Sequence, residues 1–232
     1  MSGGPTAAAR LGSGRAVTPL PGTGPVLVVL DVDGTLIEDE VVELLADHAG
    51  SRAEVAAVTA AAMRGEVDFA GSLHRRVATL AGLPVEVLEQ VRHAVRLTPG
   101  AGELVAGLHE RGHVVGLASG GFVEVVTPLA ADLGITRVRA NALEVVDGRL
   151  TGRVDGPVVG PRAKADYLRE LTAATGVDPT RTVAVGDGAN DLEMMAAAAV
   201  GVAFCGKPAV RAAADVAVDE RDLSLVLDLL GL

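Results

Sequence analysis

Aromatic side chains are nearly missing from this chain: of 232 residues 2% are aromatic, with one Tyr, three Phe and no Trp. Base stacking, the main sequence-tolerant grip on single-stranded nucleic acid, has little to work with, and the core has to be built from Ala, Val and Leu. Positive charge is short as well, since 20 Lys and Arg stand against 30 Asp and Glu, for a net charge of -10 and a pI near 4.9. A nucleic-acid binder normally carries a basic face, so nucleic acid is not expected as a partner. An anionic metabolite stays open, because a pocket needs only a few local donors and net charge speaks to solubility.

A single cysteine, Cys205, excludes an internal disulfide and fits a reducing compartment, the cytoplasm. Its place after the apolar run Val200-Gly-Val-Ala-Phe204 reads as core, not as a nucleophile. Every apolar run is shorter than the roughly 20 residues of a membrane span, so no membrane is expected. Residues 1–24 are rich in Gly, Pro, Ala and Thr without a compact apolar stretch, and read as a flexible tail instead of a secretory signal.

What is present is globular: 49% hydrophobic and 22% charged. Short apolar runs start at Pro25, His113, Thr182, Val200 and Val216, and amphipathic patterns at about 102–111, 122–133, 161–175 and 191–198 lie among them. Such alternation predicts an α/β fold with a parallel sheet covered on both faces. Two stretches break it. Residues 40–97 hold helical patterns only, at about 40–49, 53–64, 69–81 and 84–95, and read as a small helical cap inserted into a core of 25–39 and 98–232. Between Ala142 and Val154, Asp147-Gly148 separates two β-like runs and predicts a hairpin.

In such a sheet, ligands gather at the carboxyl ends of the strands, and the polar residues fall there. Asp31-Val-Asp-Gly-Thr35 follows the first run, with two carboxylates on the same side of an extended segment. Their repulsion calls for a cation or a shared proton. Ser119-Gly120-Gly121 follows the second run and reads as an anion cradle of backbone N–H groups ahead of a helix. Asp187-Gly-Ala-Asn190-Asp191 follows the third, and Lys164 sits early in the helix before it. Asp31, Asp33, Asp187 and Asp191 are hard oxygen ligands without Cys or His spacing, which suits Mg²⁺ better than zinc. An EF-hand fails on spacing, since its last loop position would be Val42. Gly186-Asp-Gly188 lacks the third glycine of a dinucleotide fingerprint.

Taken in order, Asp31-Val-Asp-Gly-Thr35, Ser119-Gly120, Lys164 and Asp187-Gly-Ala-Asn-Asp191 resemble the four motifs of the haloacid-dehalogenase-like superfamily. The resemblance runs from about Pro25 to the end of the chain. It implies a Rossmann-like core, Mg²⁺ dependence and phosphoryl transfer through an aspartyl-phosphate, while Asp33 argues against dehalogenation. A narrower resemblance, to the phosphoserine phosphatase family, rests on Glu40, Met63-Arg-Gly-Glu-Val-Asp-Phe69, Ser72-Leu-His-Arg-Arg76, Ser119-Gly-Gly-Phe122 and Ala203-Phe-Cys-Gly-Lys-Pro208. Gly34 departs from it, standing where many members carry Ser. Upstream regulatory domains, which some members carry, are not expected.

The narrower resemblance implies O-phospho-L-serine as the small-molecule substrate and the last step of serine biosynthesis as the setting. Asp31 is then the nucleophile, and Asp33 first donates a proton to the leaving serine oxygen and later takes one from water. Mg²⁺ is held by Asp31, the backbone carbonyl of Asp33 and Asp187, with Asp191 nearby. Ser119, Gly120, Lys164 and Asn190 bind the phosphate. Glu40 and Arg76 hold the amino-acid end, and Met63 and Phe69 close over it. The core motifs alone leave open another small phosphomonoester, or transfer to an acceptor alcohol. A phospho-ligand or metal binder without catalysis is the reading from another class, and it leaves the Asp31 and Asp33 pair unexplained.

Overall fold

The computed structural model of the chain describes residues 20–63 and 67–231. Strand β1 (Leu27–Leu30) lies at the centre of a seven-stranded sheet. On one side it pairs in parallel with β2 (Val114–Phe122), which is followed by β3 (Val138–Val146) and the antiparallel edge strand β4 (Arg149–Asp155). On the other side come β5 (Thr182–Gly186), β6 (Val200–Phe204) and β7 (Val216–Val218), all parallel. The strand order therefore reverses at β1, and the crevice beyond β1 and β5 is where ligands of open α/β sheets bind.

β1 is buried along its whole length, and its alternation sends side chains to two different cores. Leu27 and Val29 pack with Tyr167, Leu168 and Leu171 of α7 (Pro161–Thr175) and with Met194 and Met195 of α8 (Leu192–Ala197). Val28 and Leu30 join the larger cluster with α5 (Ala101–Glu110) and α6 (Val123–Asp132). The hairpin expected at Asp147-Gly148 forms, and both residues take the positive φ of a tight two-residue turn, at 49° and 72°.

From 40 to 97 the described residues form four helices, α1 (Val41–Ala49), α2 (Arg52–Met63), α3 (Phe69–Ala78) and α4 (Glu86–Ala94), and no strand of the sheet. The two crossings into this segment run side by side. Ile37 bridges Leu97, the Glu38 N–H donates to the Arg96 carbonyl at 2.9 Å, and Asp39 takes the Arg96 guanidinium at 2.9 Å.

Of the expected tail, residues 1–19 lie outside the described residues. The end of that stretch is held, because the buried Arg181 guanidinium donates to the carbonyls of Leu20, Pro21 and Gly22 and to that of Pro25. Two short helices that the hydropathy pattern did not suggest, α9 (Pro208–Ala213) and α10 (Leu225–Leu230), complete the chain. No helix among the described residues is long and apolar enough to cross a membrane.

Candidate active site

Asp31 is the first residue after β1, where its N–H still donates to the Val185 carbonyl of β5 at 2.9 Å. That bond fixes the carboxylate at the reversal point of the sheet. Its Oδ1 accepts from the Val32 N–H at 2.7 Å and from Lys164 Nζ at 2.7 Å, and the residue lines a cavity at the strand ends. Lys164 is fully buried and reaches Asp191 Oδ1 at 2.8 Å with the same ammonium. Lys164, the expected phosphate ligand, thus stands between two carboxylates.

Gly34, with φ at +72°, turns the chain after Asp33 and brings it against the next strand end: a Cβ there would sit 3.1 Å from the Asp187 carboxyl. A side chain at that position would meet both strain and the acidic cluster. Carboxylate oxygens of Asp31, Asp187 and Asp191 lie within 4.8 Å of one another. Burial first, and Asp191 second, raise Asp31 well above the ordinary carboxylate range, against the pull of Lys164. The same two causes push Asp187 up to about 6. Three such carboxylates around one point are overcharged on their own, and the donor set fits a hard divalent cation.

Protonation and cation binding therefore compete at Asp187. A carboxyl raised from 3.8 to about 6 favours the fold while protonated, and that contribution is lost as pH rises through about 6. A divalent cation needs the ionised form, so it stabilises most above that window. The rise in Tm on adding MgCl₂ is expected to be small near about pH 5 and to grow through about pH 6. A pH-independent shift would contradict this reading of the cluster.

Asp33 faces the other way. Its Oδ1 accepts from the Val41 N–H at the start of α1, at 2.7 Å, and its Oδ2 accepts from Ser119 Oγ at 3.2 Å. Burial raises its pKa, with the Val41 N–H, Lys164 and the Ser119 hydroxyl working against the rise. A raised pKa favours the acid form that proton donation to a leaving group needs.

The anion cradle differs from the sequence expectation in one part. β2 does not stop before the glycines; it continues to Phe122, with its register to β3 shifted between Ala118 and Phe122. Ser119 Oγ takes the Gly121 N–H at 2.8 Å, so that amide is engaged within the loop. Asn141 of β3, which the sequence did not single out, holds this loop in place. Its Nδ2 donates to the Gly120 carbonyl at 2.9 Å and its Oδ1 accepts from the Val159 N–H at 2.7 Å. A buried lone Asn in a hairpin strand carries no local signal of such a role.

Over these strand ends lies a cavity of about 210 Å³, the size of a small metabolite. Asp31, Asp33, Gly120, Asp187 and Asn190 form its floor, and Glu40, Thr59, Phe69 and Arg76 belong to the helical segment above. Asp68 caps α3 by accepting the Gly71 N–H at 2.8 Å, which sets Phe69 at the first helical position. There its ring stands against two backbone stretches, since a Cβ on Gly120 or Gly160 would come within 3.0 or 3.1 Å of it. Met63 ends α2, and its side chain lies outside the described residues.

Arg76 is buried on α3, and no carboxylate stands within ion-pair distance of it among the described residues. Burial depresses its pKa, while Glu40 and Asp33 offset part of the effect. Glu40 precedes α1 in an extended conformation, and its carboxyl makes no capping bond. Burial, then the negative charges of Asp33 and Asp187, push it up to about 8. A cation and an acid without an ion pair among the described residues thus line one small cavity together with Asp31, Asp33 and Gly120.

The model of the haloacid dehalogenase-like hydrolases matches residues 28–196 of the chain. A phosphoserine phosphatase of Streptomyces coelicolor is 58% identical over 206 residues, which are 89% of this chain and 50% of that protein. The chain thus spans about half the length of that relative. A phosphoserine phosphatase of Streptococcus thermophilus is 49% identical over 88% of this chain and 95% of its own length. Among solved structures, a phospho-aspartyl intermediate analogue of phosphoserine phosphatase superposes with a TM-score of 0.84 at 39% identity, covering 88% of this chain and 98% of that one. This chain belongs to the haloacid dehalogenase-like hydrolases and, within them, to the phosphoserine phosphatase family.

Proposed function

We propose that this chain hydrolyses O-phospho-L-serine to L-serine and inorganic phosphate through an aspartyl-phosphate on Asp31, as the last step of serine biosynthesis in the cytoplasm. The observation that carries the substrate is that a buried guanidinium, Arg76, and a buried carboxyl, Glu40, line one cavity with Asp31 and Asp33 without an ion pair among the described residues. A free amino acid offers a carboxylate and an ammonium side by side. Arg76 meets the carboxylate with two N–H donors. Glu40, protonated near neutral pH while its pKa is about 8, ionises as the ammonium arrives beside it. On this reading residues 40–97 act as the cap over a core of 25–39 and 98–232, and the cavity's size favours a free amino acid over a peptide.

Asp31 Oδ2 attacks phosphorus in line, and the bond from phosphorus to the serine oxygen breaks. Asp33 delivers its proton to that oxygen, then takes a proton from the water that opens the intermediate. Ser119, the Gly120 N–H and Asn190 hold the non-bridging oxygens, and the Lys164 charge pulls Asp31 toward its ionised form from behind. Asp31, Asp187 and Asp191, with the Asp33 carbonyl, would hold Mg²⁺. When bound, the ion offsets the repulsion between the nucleophile and a dianionic phosphate.

Arg76→Ala separates this reading from a general phosphomonoesterase. Turnover of phosphoserine is expected to fall about a hundredfold or more in kcat/KM, with a much smaller loss on p-nitrophenyl phosphate, which has no carboxylate to pair. Equal loss on both would remove the carboxylate grip.

A further inference from the structure

Thr59 is a threonine within a helix that does not use its hydroxyl as its neighbours in other helices do. Thr172 and Thr175 of α7 each donate to the carbonyl four residues earlier, Leu168 and Leu171, at 2.7 Å, the usual recourse of a helical threonine. Thr59 of α2 makes no such bond. It is buried, lines the cavity, and its Oγ1 accepts from Arg76 Nη1 at 3.5 Å. A hydroxyl has one donor and two acceptor positions, so its proton has no acceptor among the described residues and is available to the cavity. Arg76 is braced a second time, by its Nε on the Ser72 carbonyl at 3.3 Å.

We propose that Thr59 is a specificity-determining residue that binds the ligand's carboxylate together with Arg76. One carboxylate oxygen accepts from the Thr59 hydroxyl while the guanidinium, held by Thr59 and by the Ser72 carbonyl, donates from its remaining N–H groups. The hydroxyl thus acts twice, as the acceptor that aims Nη1 and as a donor to the same anion. It discriminates against phosphomonoesters without a carboxylate, since these leave both Thr59 and Arg76 unsatisfied in a buried site.

The inference rests on the proposed phosphoserine reading, and its test separates the two. Thr59→Val keeps the shape and branching of the side chain and removes only the hydroxyl. Thr59→Ser keeps the hydroxyl and removes the methyl group. With O-phospho-L-serine, Thr59→Val is expected to raise KM about ten- to hundredfold with kcat nearly unchanged, and Thr59→Ser to recover most of that loss. With O-phosphoethanolamine, which has the phosphate and the ammonium but no carboxylate, the loss in kcat/KM should be about threefold or less. Equal losses on both substrates, or failure of Ser to recover the KM, would overturn the role of Thr59. Failure of the unsubstituted protein to hydrolyse phosphoserine would instead overturn the substrate reading.

Discussion

Asp31→Asn is expected to lose turnover by about four orders of magnitude or more, the scale seen when a catalytic nucleophile is removed, with the fold standing. An amide oxygen neither attacks phosphorus nor carries the charge that the Lys164 ammonium faces at 2.7 Å. The fold survives because its support at this point is backbone: the Asp31 N–H bonds to Val185, and Asn keeps that bond along with the side chain's shape. Asp191 also remains to balance Lys164. Circular dichroism and Tm report the fold, and phosphate release reports turnover. Near-normal phosphate release from the variant would remove covalent catalysis at Asp31.

Lys164→Met is expected to damage both stability and activity. Burial alone would depress the pKa of this lysine, but Asp191 and Asp31 outweigh it and the net push is upward. The three groups are buried, with Lys164 and Asp191 wholly inaccessible. Removing the central cation leaves two carboxylates facing each other without solvent, a defect that costs about 3–5 kcal/mol when a buried pair is broken. Urea unfolding in the presence of a chelator should show that loss, and part of it should return when MgCl₂ offsets the exposed negative charge. Lys164→Arg is not expected to rescue, because a planar guanidinium does not fit a slot shaped around an ammonium. Wild-type stability of Lys164→Met would mean that the triad contributes nothing to the fold.

Strands β1, β2, β5, β6 and β7 were legible because each is an apolar run three to nine residues long and mostly buried, and the hairpin because Asp147-Gly148 supplies two positive φ values. The acidic residues were legible for a related reason: they follow β1 and β5, so chain position places them at one edge of the sheet, and Ser119 was legible because it follows the apolar part of β2. Where β2 ends was not legible, since Ser119-Gly-Gly reads as a break until the partner strand β3 is in place to pair with it. Helices α9 and α10 are six residues each and have too few turns to show a period. Asn141 and Thr59 lie in the middle of a strand and a helix. Their importance comes from partners 21 and 17 residues away, and no local pattern announces it.

Lys164 shows the same limit from the other side. Its position in the chain order pointed to a positive charge at the strand ends, and its contacts with Asp31 and Asp191 lie 133 and 27 residues away in sequence, beyond any local pattern. Burial and the neighbouring aspartates raise the Asp31 carboxyl well above the ordinary range, and Lys164 is the group that pulls against them. On the proposed mechanism the lysine pulls Asp31 toward its ionised form, and the Asp31 and Asp33 pair divides into a nucleophile fixed from behind and an acid held toward the leaving group.

That division is tested most directly by trapping the intermediate. The protein, mixed with O-phospho-L-serine and MgCl₂ and quenched in acid within the first turnover, is digested and its phosphorylated peptide is sequenced by mass spectrometry. The phosphoryl group is expected on Asp31, at a level that rises and decays with the rate of phosphate release. Full turnover with no phosphorylated peptide, or with the group on any other residue, would contradict the account.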